Sequence, residues 1–122
     1  MTTAQTWRTT LRAALLTARK DRDPVRVAAL RSALAAIDNA ETPDDARTDA
    51  PASATIAGGV AGLGAAEVDR RELSDAQIRA LLTAEIDERR SAAAQVAAGG
   101  HPDRAATLDA EAAVLAGLMG DV

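Results

Sequence analysis

SDAQIRALLTAEIDERRSAAAQVAA, residues 74–98, decides the fold class. Ser74 with Gln77 three positions on is a capping box: the hydroxyl accepts from a first-turn N–H, and the glutamine side chain reaches back to the Ser74 N–H. Ile78, Leu81, Leu82, Ile86, Ala93 and Val96 then recur every three or four residues, the period of a helix with one buried side. Gly99 and Gly100 end it, since glycine enters the conformation of a helix C-terminus without a Cβ clash. Two charged residues break the pattern. At about 100° per residue, Glu85 and Arg89 point in nearly the same direction as Ile78, Leu82 and Val96.

On the C-terminal side, a further helix is predicted from Pro102 to about Met119, burying Ala105, Leu108, Ala112, Leu115 and Met119. On the N-terminal side lies a second pair. A helix from about Ala4 to Lys20 carries Trp7, Leu11, Ala14, Leu15 and Ala18 on one stripe. The turn KDRDP follows, with Asp23 suited to an N-cap and Pro24 to the first helical position, where its missing N–H costs nothing. The next helix runs to about Asn39 and buries Val27, Leu30, Leu34 and Ile37. Residues 40–73 hold two of the four prolines and four of the eight glycines, with no sustained period. Thr42–Thr55 reads as a solvated loop. Val60–Val68 reads as a short turn or helix that lays Ile56, Val60 and Leu63 on the bundle.

The expected fold is all-α. Four main helices form two antiparallel hairpins, 4–39 and 74–119, in one small bundle within a single domain of 122 residues, with a long loop or short helix between them. The core is aliphatic, because Trp7 is the only aromatic residue. Cysteine is absent, which removes disulfides, thiolate catalysis and cysteine-bound zinc. No segment approaches the roughly 20 apolar residues of a membrane span, and the N-terminus lacks a cationic start followed by an apolar run. A cytoplasmic protein without membrane contact is expected. Usage rich in Ala, Arg and Asp, with Lys20 the only lysine, points to a GC-rich bacterial genome.

Charge is unevenly placed. Residues 1–39 carry a net +4 and the rest a net −8, for a total of −4. The total argues against a general nucleic-acid binder, and the asymmetry leaves room for one basic face. That face is Arg8, Arg12, Arg19, Lys20 and Arg22, suited to an RNA backbone or a partner protein, or else an ordinary solvated surface. The second constellation is a polar seam of Glu85 and Arg89, with Glu111 at the edge of the last helix's stripe and Arg26 on the second helix. It either fixes helix register as an ion-pair network or binds something between helices. Neither set supplies a nucleophile, an open metal site or a phosphate loop. His101 has no second ligand of its type, and GLGAAE lacks the third glycine and preceding strand of a nucleotide fingerprint. No cofactor, metal or catalytic residue is expected.

Two stretches together resemble the GatB/YqeY family. LRAALLTARKDRDPVRVAALRSALAAIDNAE is similar to its opening: an amphipathic helix, a basic turn with aspartate, and an arginine-bearing helix ending near asparagine. ELSDAQIRALLTAEIDERRSAAAQVAAGGHPDRAATLDAEAAVL is similar to its next segment, with a leucine-serine cap, E-I-x-x-R-R, a glycine turn and E-x-x-V-L. The matching positions include Asp23, Arg31, Asn39, Glu85, Arg89, Arg90, Glu111 and Leu115. The long Ala/Gly-rich connection looks like an actinobacterial version of the family. The resemblance implies a helical module related to the tail of the GatB subunit of tRNA-dependent amidotransferase, an enzyme whose catalysis lies in other domains. Longer relatives continue into a second helical subdomain where this sequence reads AVLAGLMGDV. Protein interaction or self-association is therefore expected first. The alternative is a tRNA-binding accessory to glutamine-dependent amidation, a carbon–nitrogen ligase reaction.

Overall fold

The computed structural model describes residues 1–42 and 71–121, which form four helices and no strand: α1 (Thr3–Lys20), α2 (Pro24–Glu41), α3 (Asp75–Ala98) and α4 (Pro102–Asp121). The all-α expectation holds, with every described boundary within two residues of its expected place. The loop and short helix expected within residues 43–70 lie outside the described residues. No described helix is long and apolar enough to cross a membrane.

Local chemistry sets the helix ends. Ser74 and Gln77 form the expected box, with Gln77 N donating to Ser74 Oγ at 3.1 Å and Ser74 N to Gln77 Oε1 at 2.8 Å. α1 has its own box, not expected from the sequence: Gln5 N donates to Thr2 Oγ1 at 3.2 Å and Thr2 N to Gln5 Oε1 at 2.8 Å. Both hairpins then turn alike. After α1, Arg22 N donates to the Arg19 carbonyl and Asp23 N to that of Ala18; after α3, Gly100 N donates to Ala97 and His101 N to Val96. Each pair of bonds is a Schellman motif, with one residue at positive φ: Arg22 at 54° and Gly100 at 88°. Each turn ends with proline at the first helical position, Pro24 and Pro102.

Named contacts give the directions. Arg8 near the start of α1 meets Asp38 and Glu41 at the end of α2, so those two helices are antiparallel. Trp7 meets Asp75, so α1 and α3 start at the same end. Arg71 at the approach to α3 meets Glu41 at the end of α2, and Arg79 near the start of α3 meets Met119 near the end of α4, which sets both antiparallel to α3. The four helices do not form an even ring. α2 packs against all three others, whereas α1 touches α3 only lightly and makes no close approach to α4. The composition of α2 accounts for this. Val27, Leu30, Leu34 and Ile37 occupy one arc, and Ala29, Ala33, Ala36 and Ala40 the adjacent one, where the absence of bulk lets helix axes draw close. Ala29, Leu30, Ala33 and Ile37 are fully buried.

The core gathers Trp7, Leu11 and Leu15 of α1 with Ile78, Leu82 and Ile86 of α3 and Ala112 and Leu115 of α4. Seven expected core positions differ: Ala14, Val27, Leu34 and Leu81 are half-buried at the margin of the core, and Val96 and two on α4 are half-buried as well. Leu108 and Met119 are only half-buried, and Leu118, three residues beyond Leu115, is buried in their stead. Ala93 and Ala105 are buried outside the main core, where α3 and α4 run on toward their turn.

Candidate functional site

The polar seam is one network centred on Arg89. Its Nη1 donates to Glu85 Oε1 at 3.2 Å and to the Glu85 carbonyl at 3.3 Å. Nε donates to Glu111 Oε1 at 3.1 Å, and Nη2 to Ser32 Oγ at 2.6 Å. The Arg89 and Glu111 side chains are 13% and 15% exposed, so the pair is largely removed from water, and with Ser32 the network spans three helices. Arg26 takes no part. It lies six residues before Ser32, about 9 Å along the helix axis at 1.5 Å per residue, and the serine hydroxyl fills the place expected for it. A lone serine in an alanine-rich helix carries no periodic signal, so Ser32 was not legible in advance.

A second network involves Arg8. Its Nη2 and Nε reach Asp38 Oδ1 at 2.7 and 3.1 Å, and its guanidinium also pairs with Glu41, whose side chain is 8% exposed. Arg8 therefore does not belong to an open basic face: it is turned across to α2 and is 15% exposed. The Glu41 carbonyl meanwhile accepts the Arg71 N–H at 2.9 Å, tying the approach to α3 onto the end of α2.

The third network surrounds Trp7, which is buried as expected of a core anchor. Its indole N–H donates to Asp75 Oδ1 at 2.9 Å, and Asp75 Oδ2 accepts from Arg79 Nε at 2.8 Å. The Arg79 guanidinium lies over the Trp7 ring at 5.4 Å and donates to the Met119 carbonyl at 2.9 Å, near the C-terminus of α4. The hydrogen bond from Arg79, followed by that from Trp7, holds the Asp75 carboxyl below its ordinary value.

The remaining members of the basic face stay outward. Arg12, Arg19, Lys20 and Arg22 are all exposed and enter no ion pair among the described residues. Leu16 lies among them, 54% exposed. An open groove of about 890 Å³ lies between the end of α2 and the start of α3, lined by Ala36, Asn39, Ala40, Gln77 and Leu81 with Arg71 at its rim. Leu73, Ala80 and Glu72 complete its wall among the described residues. His101 is exposed in the second turn. Three arginines thus lock helices together, and four of the exposed basic side chains lie near Leu16, while Arg31, Arg71, Arg90 and Arg104 are exposed elsewhere. No protein-family model, curated protein or solved structure matches the chain.

Proposed function

We propose that this chain is a non-catalytic helical binding module of the GatB/YqeY type, acting through a partner protein or by self-association. One observation carries the reading: the interior charges pair with one another, and the exposed cations of α1 and its turn gather near an exposed leucine. Arg89 has four acceptors within reach and Arg8 two carboxylates, so most of the donors of each are engaged inside the bundle. Glu85, Arg89 and Glu111, three of the positions that carry the family resemblance, meet in one network, which supports treating them as the framework of the module.

A second reading is a tRNA-binding accessory to glutamine-dependent amidation. It is favoured by the exposure of Arg12, Arg19, Lys20 and Arg22 on one end of the first hairpin. The two readings differ in salt response, because phosphate contacts release counterions and weaken steeply as salt rises. Bulk deacylated tRNA titrated at low and moderate salt, against the chain and an R12E/R19E/K20E variant, separates them. Salt-insensitive self-association without tRNA binding supports the interaction module. Saturable tRNA binding that the variant loses replaces it with the RNA reading.

A further inference from the structure

We propose that the outer face of the C-terminal half of α1, with the turn after it, docks an acidic amphipathic segment of a partner protein. This inference rests on the binding-module reading and names the surface and its chemistry. Among the described residues, Leu16 and Met1 are the large apolar side chains left exposed. Leu16 lies four residues after Arg12, three before Arg19 and four before Lys20, the spacings that make neighbours on one helix face. All three cations are exposed, and Arg22 stands just beyond them. The face is an apolar centre rimmed by positive charge.

The turn adds a separate observation. Arg22 holds a φ of 54°, the position that Gly100 fills in the sister turn. A non-glycine residue there is strained by about 1 kcal/mol or more, and such strain concentrates at functional positions. The first turn thus keeps a cation where the backbone favours glycine.

The occupant follows from what the face offers. A nucleic acid backbone gives Leu16 nothing to bury. Single-stranded bases also need aromatic platforms, yet Trp7 is 1% exposed with its N–H bound to Asp75. Beyond residue 39 the chain is net −8, which repels a long polyanion extending past the patch. A short protein segment with an apolar side chain among carboxylates meets both the leucine and its rim.

The test titrates the full chain with three probes of matched charge: a Glu/Leu peptide, an oligoglutamate peptide and a single-stranded oligouridylate, each followed by backbone amide NMR shifts. The Glu/Leu peptide should shift the amides of residues 12–22 and bind about fivefold more tightly than oligoglutamate, through apolar contact with Leu16. Leu16→Ser should remove that preference. R12Q/R19Q/K20Q should weaken both peptides about tenfold, with a smaller difference at high salt. These substitutions alter exposed side chains, and thermal melting verifies the fold. Tighter binding of oligouridylate than of either peptide overturns the proposal. So does an unchanged peptide preference in Leu16→Ser, shifts confined to other helices, or self-association that Leu16→Ser abolishes, which would make a second copy the occupant. A partner that binds the chain and both variants equally overturns this surface and leaves the binding-module reading standing.

Discussion

Arg89 shows how much one side chain holds. Glu85 lies on the same helix and would sit nearby in an isolated α3, whereas Glu111 is met only when α4 packs. Removing the cross-helix partner leaves a mostly buried guanidinium short of charge compensation; removing the local one loses an i,i+4 pair. Glu111→Ala should therefore destabilise the fold by about 1–3 kcal/mol and Glu85→Ala by less than about 1 kcal/mol in urea unfolding. Equal losses would show that the network does not select α4. Asp75 gives a prediction in pH. Its folded value lies below the ordinary 3.8, so the stability it lends is complete above that value and is lost as pH falls through the folded one. Asp75→Asn should flatten the acid limb of the unfolding curve below about pH 4, read by the fluorescence of Trp7. Matching acid limbs would sink the assignment. Helical angles on the bare sequence already brought Glu85, Arg89 and Glu111 to a seam. They also grouped Arg8 with Arg12 and Arg19, because a helical wheel holds no record of Asp38 and Glu41 arriving from another helix.

At the scale of elements, the two hairpins follow one plan: a capping box ending in Ala-Gln, a long helix, a three-residue Schellman turn, proline, and another long helix. TTAQ opens the first and SDAQ the second. The correspondence was hard to see because α1 has 18 residues and α3 has 24, so no constant spacing aligns the hairpins. Ser74 was legible through its setting against a long apolar stripe, while Thr2 stands at the very start of the chain among other threonines. The paired turns make opposite predictions. Arg22→Gly relieves a strained backbone and should stabilise by about 0.5–1 kcal/mol, the entropy of the added glycine taking back part of the gain. Gly100→Ala meets no neighbouring atom within 4 Å yet sits at positive φ, and should cost about 1 kcal/mol. Thermal melting of both variants checks the pair; stabilisation by Gly100→Ala would refute the turn geometry.

Across the whole molecule, the defining feature is the central place of α2. The sequence predicted two hairpins but not which helix lies between the others, because alanine packs closely while contributing little to an apolar stripe. Its role becomes visible only once the partner helices are in place. Ala33 is fully buried on this arc, so Ala33→Leu should force the hairpins apart and cost about 1–3 kcal/mol. The same change at exposed Ala13 should be nearly neutral. Comparable denaturation midpoints for the two variants would contradict the packing order.

The hydrogen bond from the Arg71 N–H to the Glu41 carbonyl has a consequence for chain connectivity. It brings the exit from α2 beside the approach to α3, so whatever joins them has its ends already together. Closure entropy rises only with the logarithm of length, and exchanging residues 43–70 for a six-residue Gly/Ser linker alters it by about 1.4 kcal/mol. Loop closure by itself therefore sets little preference for one length of connection over another at this point of the chain.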